Sequence, residues 1–218
     1  MQIVPTLLTA EKKIAKEKLT LYKGIFEWVQ LDIMDGIFVD NKTLLAGEFL
    51  GIPNLASFKL DLHLMVDDPL SYLASCQAIN AARVIGQVEK MSDQKLFVEK
   101  TLNHTCQVGL AIDLPTALEK LEKKVLPQLD VVLVMSVKAG WGSQSFHPEV
   151  LQKVKKLAQA KKQKGLTFKI ALDGGINLDN ISDIAKAGAE IVYVGSAVQN
   201  NPRESLRQLY KAAKRYNS

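Results

Sequence analysis

The fold is decided by residues 58–65, which read Phe58-Lys59-Leu60-Asp61-Leu62-His63-Leu64-Met65. Apolar and polar side chains alternate along this stretch, and a period of two is typical of a β-strand. One face is therefore wholly aliphatic, whereas the other carries Lys59, Asp61, His63 and Met65. Polar groups on a buried face cost free energy unless they are paired, metal-bound or solvated.

The same kind of apolar run recurs along the chain, each time followed by a turn signal and an amphipathic helical pattern. Strands are predicted at 2–6, 28–33, 58–63, 82–88, 107–112, 131–135, 168–173 and 190–194. Helices are predicted at 11–23, 47–55, 69–77, 93–102, 116–124, 148–163, 179–187 and 202–215. Eight βα units predict a (β/α)8 TIM barrel, with residues 1–218 forming one domain. A doubly wound open sheet is the alternative, but no GxGxxG motif follows the first strand.

In such a barrel, the strand face that does not pack against the helices points to the barrel axis. The alternation in residues 28–34 turns Gln30, Asp32 and Met34 inward, and that in residues 170–173 turns Asp173 inward. Gln30, Asp32, His63 and Asp173 lie at or near the carboxyl ends of their strands, where barrel enzymes keep their active sites. We therefore expect two carboxylates, an imidazole and an amide to meet there.

Composition narrows the class of protein. A hydrophobic fraction of 47% excludes a disordered chain. No apolar run is long enough to span a bilayer, and residues 1–10 lack the features of a signal peptide. Two cysteines are too few for a disulfide scaffold. We expect a cytoplasmic protein that does not bind a membrane.

The net charge of +5 raises the question of nucleic acid. The surplus comes from two segments, residues 153–164 and 203–215, while the remainder of the chain is net acidic. An apolar stripe in the first segment leaves its lysines on an outer helix face. We therefore expect solvated helix surfaces and no nucleic-acid partner.

Six stretches of the chain resemble the ribulose-phosphate 3-epimerase family, in the order in which that family carries them. They are Val4-Pro5-Thr6-Leu7-Leu8, residues 31–39 (Leu-Asp-Ile-Met-Asp-Gly-Ile-Phe-Val), residues 60–66 (Leu-Asp-Leu-His-Leu-Met-Val), residues 135–144 (Met-Ser-Val-Lys-Ala-Gly-Trp-Gly-Ser-Gln), Leu172-Asp173-Gly174-Gly175-Ile176-Asn177 and Val194-Gly195-Ser196-Ala197. The resemblance covers nearly the whole chain.

The resemblance implies an isomerase of the pentose phosphate pathway that interconverts ribulose 5-phosphate and xylulose 5-phosphate. In the family, one Asp removes the C3 proton and another delivers a proton to the opposite face, and these positions match Asp32 and Asp173. Inversion at one carbon does require two acid–base groups on opposite sides of a planar enediolate. Two neighbouring carboxylates would also push their pKa values apart, which leaves one protonated.

The resemblance also implies one divalent metal ion (Zn, Mn, Fe, Co or Mg) that stabilises the enediolate. Asp32, His63 and Asp173 match three of the family's ligands, but the fourth, a His in the family, is Gln30 here. An amide oxygen is a poorer ligand for zinc than imidazole, so we expect weaker binding or a shift towards Mn²⁺ or Mg²⁺. A His that the family often carries on the fourth strand is also missing from residues 83–89.

The remaining matches concern the substrate, a small phosphorylated ketose. Thr6, where the family has Ser, and His63 are expected to contact it, while Met34, Met65 and Met135 line the pocket. Main-chain amides of Gly174-Gly175 and Gly195-Ser196 are expected to hold the phosphate. The segment Gly140-Trp141-Gly142-Ser143 resembles a loop that closes over the substrate, with Trp141 and Ser143 in place of Phe and Gly.

Two alternatives stay open. The substrate could be a related hexulose phosphate such as allulose 6-phosphate, because pocket width rather than motif content decides this. Gln30 also permits a catalytically weak phosphosugar-binding relative. We further expect a homo-oligomer, and structural roles for Asp35 and Asp61, with loop amides or Lys59 as their partners.

Overall fold

Eight parallel strands close into a barrel in the computed structural model, which describes residues 1–104 and 106–214. Each strand pairs with the next along the chain, and the eighth pairs with the first. The strands are β1 (Gln2–Leu7), β2 (Trp28–Met34), β3 (Lys59–Met65), β4 (Arg83–Gln87), β5 (Gln107–Ile112), β6 (Val131–Met135), β7 (Lys169–Asp173) and β8 (Ile191–Val194). The predicted barrel is confirmed.

Helices cover the outside of the barrel. Six α-helices lie within the described residues: α1 (Lys12–Tyr22), α2 (Leu73–Ala78), α3 (Gln94–Leu102), α4 (Val150–Lys164), α5 (Ile181–Ala187) and α6 (Pro202–Ala213). Short 3₁₀ turns occur at Ala46–Phe49, Leu55–Ser57, Pro69–Tyr72, Leu118–Lys120, Leu126–Gln128 and Ser196–Val198. No helix in the described part of the chain combines the length and apolarity that a membrane crossing requires.

Strand alternation divides the core into two layers. Side chains such as Leu60, Leu62 and Leu64 of β3 pack against the helices. A separate cluster fills the interior of the barrel and includes Met34 and Met65. The predicted inward face of β3 is therefore confirmed, except that Lys59, at the amino end of the strand, is exposed and pairs with Glu27.

Proline and glycine mark several helix ends as predicted. Pro69 and Pro202 each occupy the first turn of a helical segment. Gly188 ends α5 with a φ of 107°, a conformation that glycine adopts without steric cost. Pro148 differs, because it lies in the turn before α4, which begins only at Val150.

The predicted helix at 116–124 is wrong, because this segment contains only a 3₁₀ turn at Leu118–Lys120. Its backbone is instead hydrogen-bonded to the side chain of Gln94 in α3. The Gln94 amide donates to the Lys120 carbonyl at 2.8 Å and accepts from the Glu122 N–H at 3.0 Å. Tertiary hydrogen bonds thus take backbone groups that a helix would pair within itself.

Two other predicted helices are replaced wholly or partly by 3₁₀ turns. The segment 47–55 forms 3₁₀ turns at Ala46–Phe49 and Leu55–Ser57 rather than a continuous helix. The segment 69–77 begins with a 3₁₀ turn and becomes α-helical only at Leu73. The predicted end of the last helix at residue 215 lies outside the described residues.

The lysines of α4 are only partly solvated. Lys153 donates to the carbonyls of Leu114 and Thr116, and Lys161 pairs with Glu190. These contacts fasten α4 to neighbouring segments of the barrel. Two lysines of the basic segment therefore have structural roles that its charge alone did not reveal.

A buried ion pair occupies the barrel interior between β3 and β4. Arg83 Nε donates to Asp61 Oδ2 at 2.9 Å, the Tyr193 hydroxyl donates to the same oxygen at 2.6 Å, and Trp28 stacks on the guanidinium. Asp61 is therefore structural, but the expected partner Lys59 is wrong. Arg83 reaches it because its side chain also lies inside the barrel, where Asp61 is fully buried.

Removing one partner of a buried ion pair leaves an uncompensated charge. We expect Asp61→Asn to lower the free energy of unfolding by roughly 3 to 5 kcal/mol, measured by urea denaturation. The control Glu27→Gln breaks the exposed pair with Lys59 and should cost less than about 1 kcal/mol. Equal, small effects of both substitutions would contradict a stabilising role for the buried pair.

Candidate active site

Three strands bring the predicted polar side chains together at the carboxyl end of the barrel. Asp32 of β2 and His63 of β3 are partners in the strand register, and Asp173 ends β7. Their ligand atoms, one from each side chain, all lie within 4.8 Å of one another. The cluster expected from strand alternation therefore exists.

The geometry centres on one imidazole nitrogen. His63 Nδ1 lies 3.5 Å from Asp32 Oδ1 and 3.8 Å from Asp173 Oδ2. This nitrogen is buried and has no hydrogen-bond partner. An unpartnered nitrogen facing two carboxylate oxygens is a donor set that suits a divalent cation such as Zn²⁺ or Mn²⁺.

The charges of the barrel interior also suit a cation. Asp32, Asp61 and Asp173 contribute three carboxylates to the inward strand faces, against the single guanidinium of Arg83. With all of these groups ionised, the described interior carries a formal charge of −2. A divalent ion or the protonation of a carboxyl group would offset this charge, so these residues fit a metal site.

Gln30 is fully buried beside the two carboxylates. Its amide can donate to Asp32 Oδ1 at 3.3 Å and to Asp173 Oδ2 at 3.2 Å, the orientation that satisfies all its neighbours. In this orientation Gln30 is a hydrogen-bond donor that bridges the carboxylates. Ligation of a metal through its oxygen would require the amide to rotate, and it stays a prediction.

The environment raises the pKa of both carboxyl groups. Burial raises the pKa of Asp32, while the nearby His63 imidazole acts in the opposite direction. Burial, together with the charges of Asp32 and Asp61, raises the pKa of Asp173 well above its ordinary value. The protonated form of Asp173 is therefore favoured.

A cavity opens beside this cluster at the carboxyl end of the barrel. The predicted residues that line it are Thr6, Asp32, Met65, Met135, Gly140, Trp141, Gly142, Ser143, Asp173, Gly174, Gly175, Gly195 and Ser196. His63, Gln30 and Met34 are buried behind this wall and do not line it. The site thus has an accessible layer and a supporting layer.

Two glycines are required because their surroundings leave no room for a side chain. A Cβ atom on Gly175 would lie 2.6 Å from the Phe146 nitrogen, and one on Gly174 would collide with a Val137 methyl group. Both glycines also have positive φ angles. Main-chain amides at this corner can therefore approach a bound anion more closely than bulkier residues would allow.

The segment 140–143 stands at the mouth of the cavity, where Trp141 is 60% exposed. The Gly140 carbonyl accepts from the Asn41 amide at 2.6 Å, and the Gln144 amide donates to the carbonyls of Lys138 and Trp141. These bonds attach the base of the segment and leave the indole facing outwards.

Sequence reasoning missed several groups at the site. Tyr193 and Lys138 line the cavity, and Gln87 contacts His63 Nε2 at 3.2 Å. Extending the alternation rule to β4 and β8 would have turned Gln87 and Tyr193 inward. Lys138 follows the end of β6 and carries no such signal.

The fold and the buried acid–base groups place the chain among the (β/α)8 barrel enzymes, which keep their active sites at this end of the strands. The model of the ribulose-phosphate 3-epimerase family matches residues 2–199. The chain belongs to this family, as the resemblance of its motifs implied.

Curated relatives with the name of this family match most of the chain in sequence. Ribulose-phosphate 3-epimerase from Synechocystis sp. is 34% identical over 92% of this chain and 88% of its own length. The enzyme of the same name from Escherichia coli is 30% identical over 92% of this chain and 89% of its own length.

Solved structures share the fold at low identity. KGPDC from Streptococcus mutans is 11% identical with a TM-score of 0.65, and covers 100% of this chain and 99% of its own. The 3-hexulose-6-phosphate synthase from Salmonella typhimurium is 13% identical with a TM-score of 0.63, and covers 99% of this chain and 100% of its own. These likenesses concern the barrel alone.

The raised pKa of Asp173 predicts how a substitution at this position changes the free energy of unfolding. In chelator-treated protein at neutral pH, Asp173→Asn should raise the free energy of unfolding, because it removes a carboxyl group whose charged form is disfavoured by burial. The gain should shrink as the pH falls and should vanish below the ordinary value of 3.8, where the carboxyl is protonated in both states. Denaturant unfolding at several pH values measures this.

The exposed Asp183→Asn serves as a control and should change little at any pH. A loss of stability in Asp173→Asn at neutral pH would contradict the assignment of a burial penalty to Asp173.

Proposed function

We propose that this chain is a ribulose-phosphate 3-epimerase, which interconverts ribulose 5-phosphate and xylulose 5-phosphate. The observation that carries the proposal is the pair of carboxylates, Asp32 and Asp173, held beside one cavity in different protonation environments. Membership of the family supports the same reaction. We further propose that the protein works in the cytoplasm as a homo-oligomer, in the pentose phosphate pathway.

The two carboxyl groups have distinct roles in this proposal. Asp32 accepts the proton from C3 and leaves a planar enediolate. Asp173 then donates its proton to C3 from the other side, and the configuration inverts. β2 and β7 are separated by β1 and β8 in the barrel, so their side chains approach the cavity from different directions. The raised pKa of Asp173 keeps a proton available for this step.

Asp32, His63 and Asp173 would together hold a divalent cation. When bound, such a cation supplies positive charge that stabilises the developing negative charge on the substrate oxygens. Gln30 donates to both carboxylates and restrains their orientation. Because this residue is an amide rather than an imidazole, we propose weaker zinc binding and a preference for Mn²⁺ or Mg²⁺.

The rest of the cavity recognises the substrate. The amides of Gly174-Gly175 and Gly195-Ser196 bind the phosphate. Thr6 contacts the sugar at the same corner, because its hydroxyl lies 3.2 Å from the point where a Cβ atom on Gly195 would be. Met65 and Met135 provide an apolar wall for the planar intermediate, with Met34 buried behind them. The segment 140–143 closes over the cavity and excludes water.

The two proton transfers can be separated by isotope exchange in deuterium oxide. Asp173→Asn should lose interconversion by about 10²- to 10⁴-fold, because it removes the proton donor. It should still exchange the C3 proton of ribulose 5-phosphate with solvent, since Asp32 remains. Asp32→Asn should lose both activities. NMR of the C3 position follows exchange and epimerisation in one sample.

The exposed Asp183→Asn controls for removal of a carboxyl group. Normal interconversion by Asp173→Asn would refute its role as the acid. Wild-type turnover of allulose 6-phosphate in preference to ribulose 5-phosphate would favour the hexulose alternative. Absence of exchange with every metal ion tested would favour a phosphosugar-binding protein.

Metal binding can be tested without substrate. Titration of chelator-treated protein with Mn²⁺ in a calorimeter should show one site. His63→Gln should weaken binding by more than about 100-fold, because it removes a ligand rather than an outer-shell partner. Gln30→His should tighten it, since imidazole is the better donor. Unchanged affinity in His63→Gln would exclude His63 as a ligand.

A further inference from the structure

The second nitrogen of His63 faces away from the carboxylates and towards β4. His63 Nε2 lies 3.2 Å from the side-chain amide of Gln87, which is the last residue of β4 and is fully buried. In the register of the sheet, Gln87 pairs with Ala111 of β5. The imidazole is therefore held between an amide on one side and two carboxylates on the other.

The orientation of the Gln87 amide follows from its other neighbours. Glu89 Oε2 lies 2.9 Å from the amide and the Ala111 carbonyl lies 3.2 Å from it, and both can only accept hydrogen bonds. The amide nitrogen must face these two acceptors, so the amide oxygen faces His63. The chemistry of the surroundings thus leaves one satisfied orientation.

Glu89 is itself fixed in place. Its other oxygen, Oε1, accepts from the backbone N–H of Asp113 at 2.8 Å. The Asp113 carboxylate in turn accepts from the N–H groups of Leu114 and Ala139. The acceptor that orients Gln87 is therefore attached to the backbone of the segments that follow β5 and β6.

We propose that Gln87 is a positioning residue that selects the tautomer of His63. An amide oxygen has no proton to give, so the bond to Gln87 requires the proton of the neutral imidazole to sit on Nε2. Nδ1 then carries the lone pair and faces Asp32 and Asp173. This inference deepens the proposed function and rests on it, because the tautomer matters most if Nδ1 ligates a metal.

Loss of the acceptor should have a defined consequence. Without Gln87, the carboxylates of Asp32 and Asp173, at 3.5 Å and 3.8 Å from Nδ1, remain as acceptors for a ring proton. The proton of the neutral ring would then favour Nδ1, where it blocks the lone pair. Two substitutions distinguish loss of the acceptor from loss of side-chain volume. Gln87→Met keeps the side-chain length but has no oxygen, whereas Gln87→Glu keeps an oxygen acceptor.

A matched control exists in α3. Gln94 is also a buried glutamine whose amide makes two hydrogen bonds to backbone, and both go to the segment 120–122, away from His63. Gln94→Met therefore imposes a comparable loss of buried hydrogen bonds at a place that does not touch the imidazole. Thermal unfolding of all variants verifies that each remains folded.

The first readout needs neither metal nor substrate. Long-range ¹H–¹⁵N NMR of chelator-treated protein, at alkaline pH where imidazole is neutral, reports which ring nitrogen is protonated. The chain has three histidines, and His63→Gln identifies the signals of His63. We expect the Nε2–H tautomer in the wild type, in Gln87→Glu and in Gln94→Met, and a shift to Nδ1–H in Gln87→Met.

The second readout is the affinity for Mn²⁺. Gln87→Met should weaken binding by about 10- to 100-fold, the usual effect of removing an outer-shell partner, whereas Gln94→Met should change it by less than about twofold. Wild-type protein in the Nδ1–H form, or a Gln87→Met variant that keeps both the Nε2–H form and full affinity, would overturn the proposal. A wild type in the Nε2–H form that binds no metal would instead refute the metal site and leave the role of Gln87 standing.

Discussion

Burial of two carboxylates against one imidazole inside a closed barrel is the constraint on which the rest of the site depends. Ionised groups in such a place are strongly disfavoured unless something compensates them. The structure supplies two kinds of compensation: the Gln30 amide bridging Asp32 and Asp173, and a raised carboxyl pKa. Each form of compensation is also useful for moving a proton at carbon.

The barrel provides these positions through strand register. β2 and β3 place Asp32 beside His63, while β7 brings Asp173 from across the interior. The same inward faces carry the Arg83–Asp61 pair, whose negative partner adds to the field that raises the pKa of Asp173. The charges of this ion pair and those of the acid–base cluster therefore lie in the same barrel interior. The stability of the protein is coupled in this way to the protonation of Asp32 and Asp173.

Much of this arrangement could be predicted from alternation alone. A polar residue at every second position of a strand that is otherwise aliphatic identified Asp32, His63 and Asp173, because strand geometry leaves each side chain only two faces. Family motifs then gave the glycines of the corner where we propose that the phosphate binds. The segment 116–124 was predicted wrongly, since its helical pattern competes with two hydrogen bonds from Gln94 that come from a distant part of the chain.

Other features depend on contacts that no local pattern encodes. The pairing of Asp61 with Arg83 rather than Lys59 follows from which side chain lies inside the barrel at that level. The orientation of the Gln87 amide depends on Glu89 and Ala111, one of them on a different strand. Such choices arise from three-dimensional hydrogen bonding, so they became visible only once the strands were assembled.

The central claim is that Asp32, His63 and Asp173 form one cation site at the proton-transfer centre. Anomalous diffraction from crystals grown with Mn²⁺ tests it most directly. The account predicts a single strong peak within coordination distance of His63 Nδ1 and of a carboxylate oxygen from each Asp. A peak at another place in the molecule, or none at this cluster under saturating Mn²⁺, would contradict it.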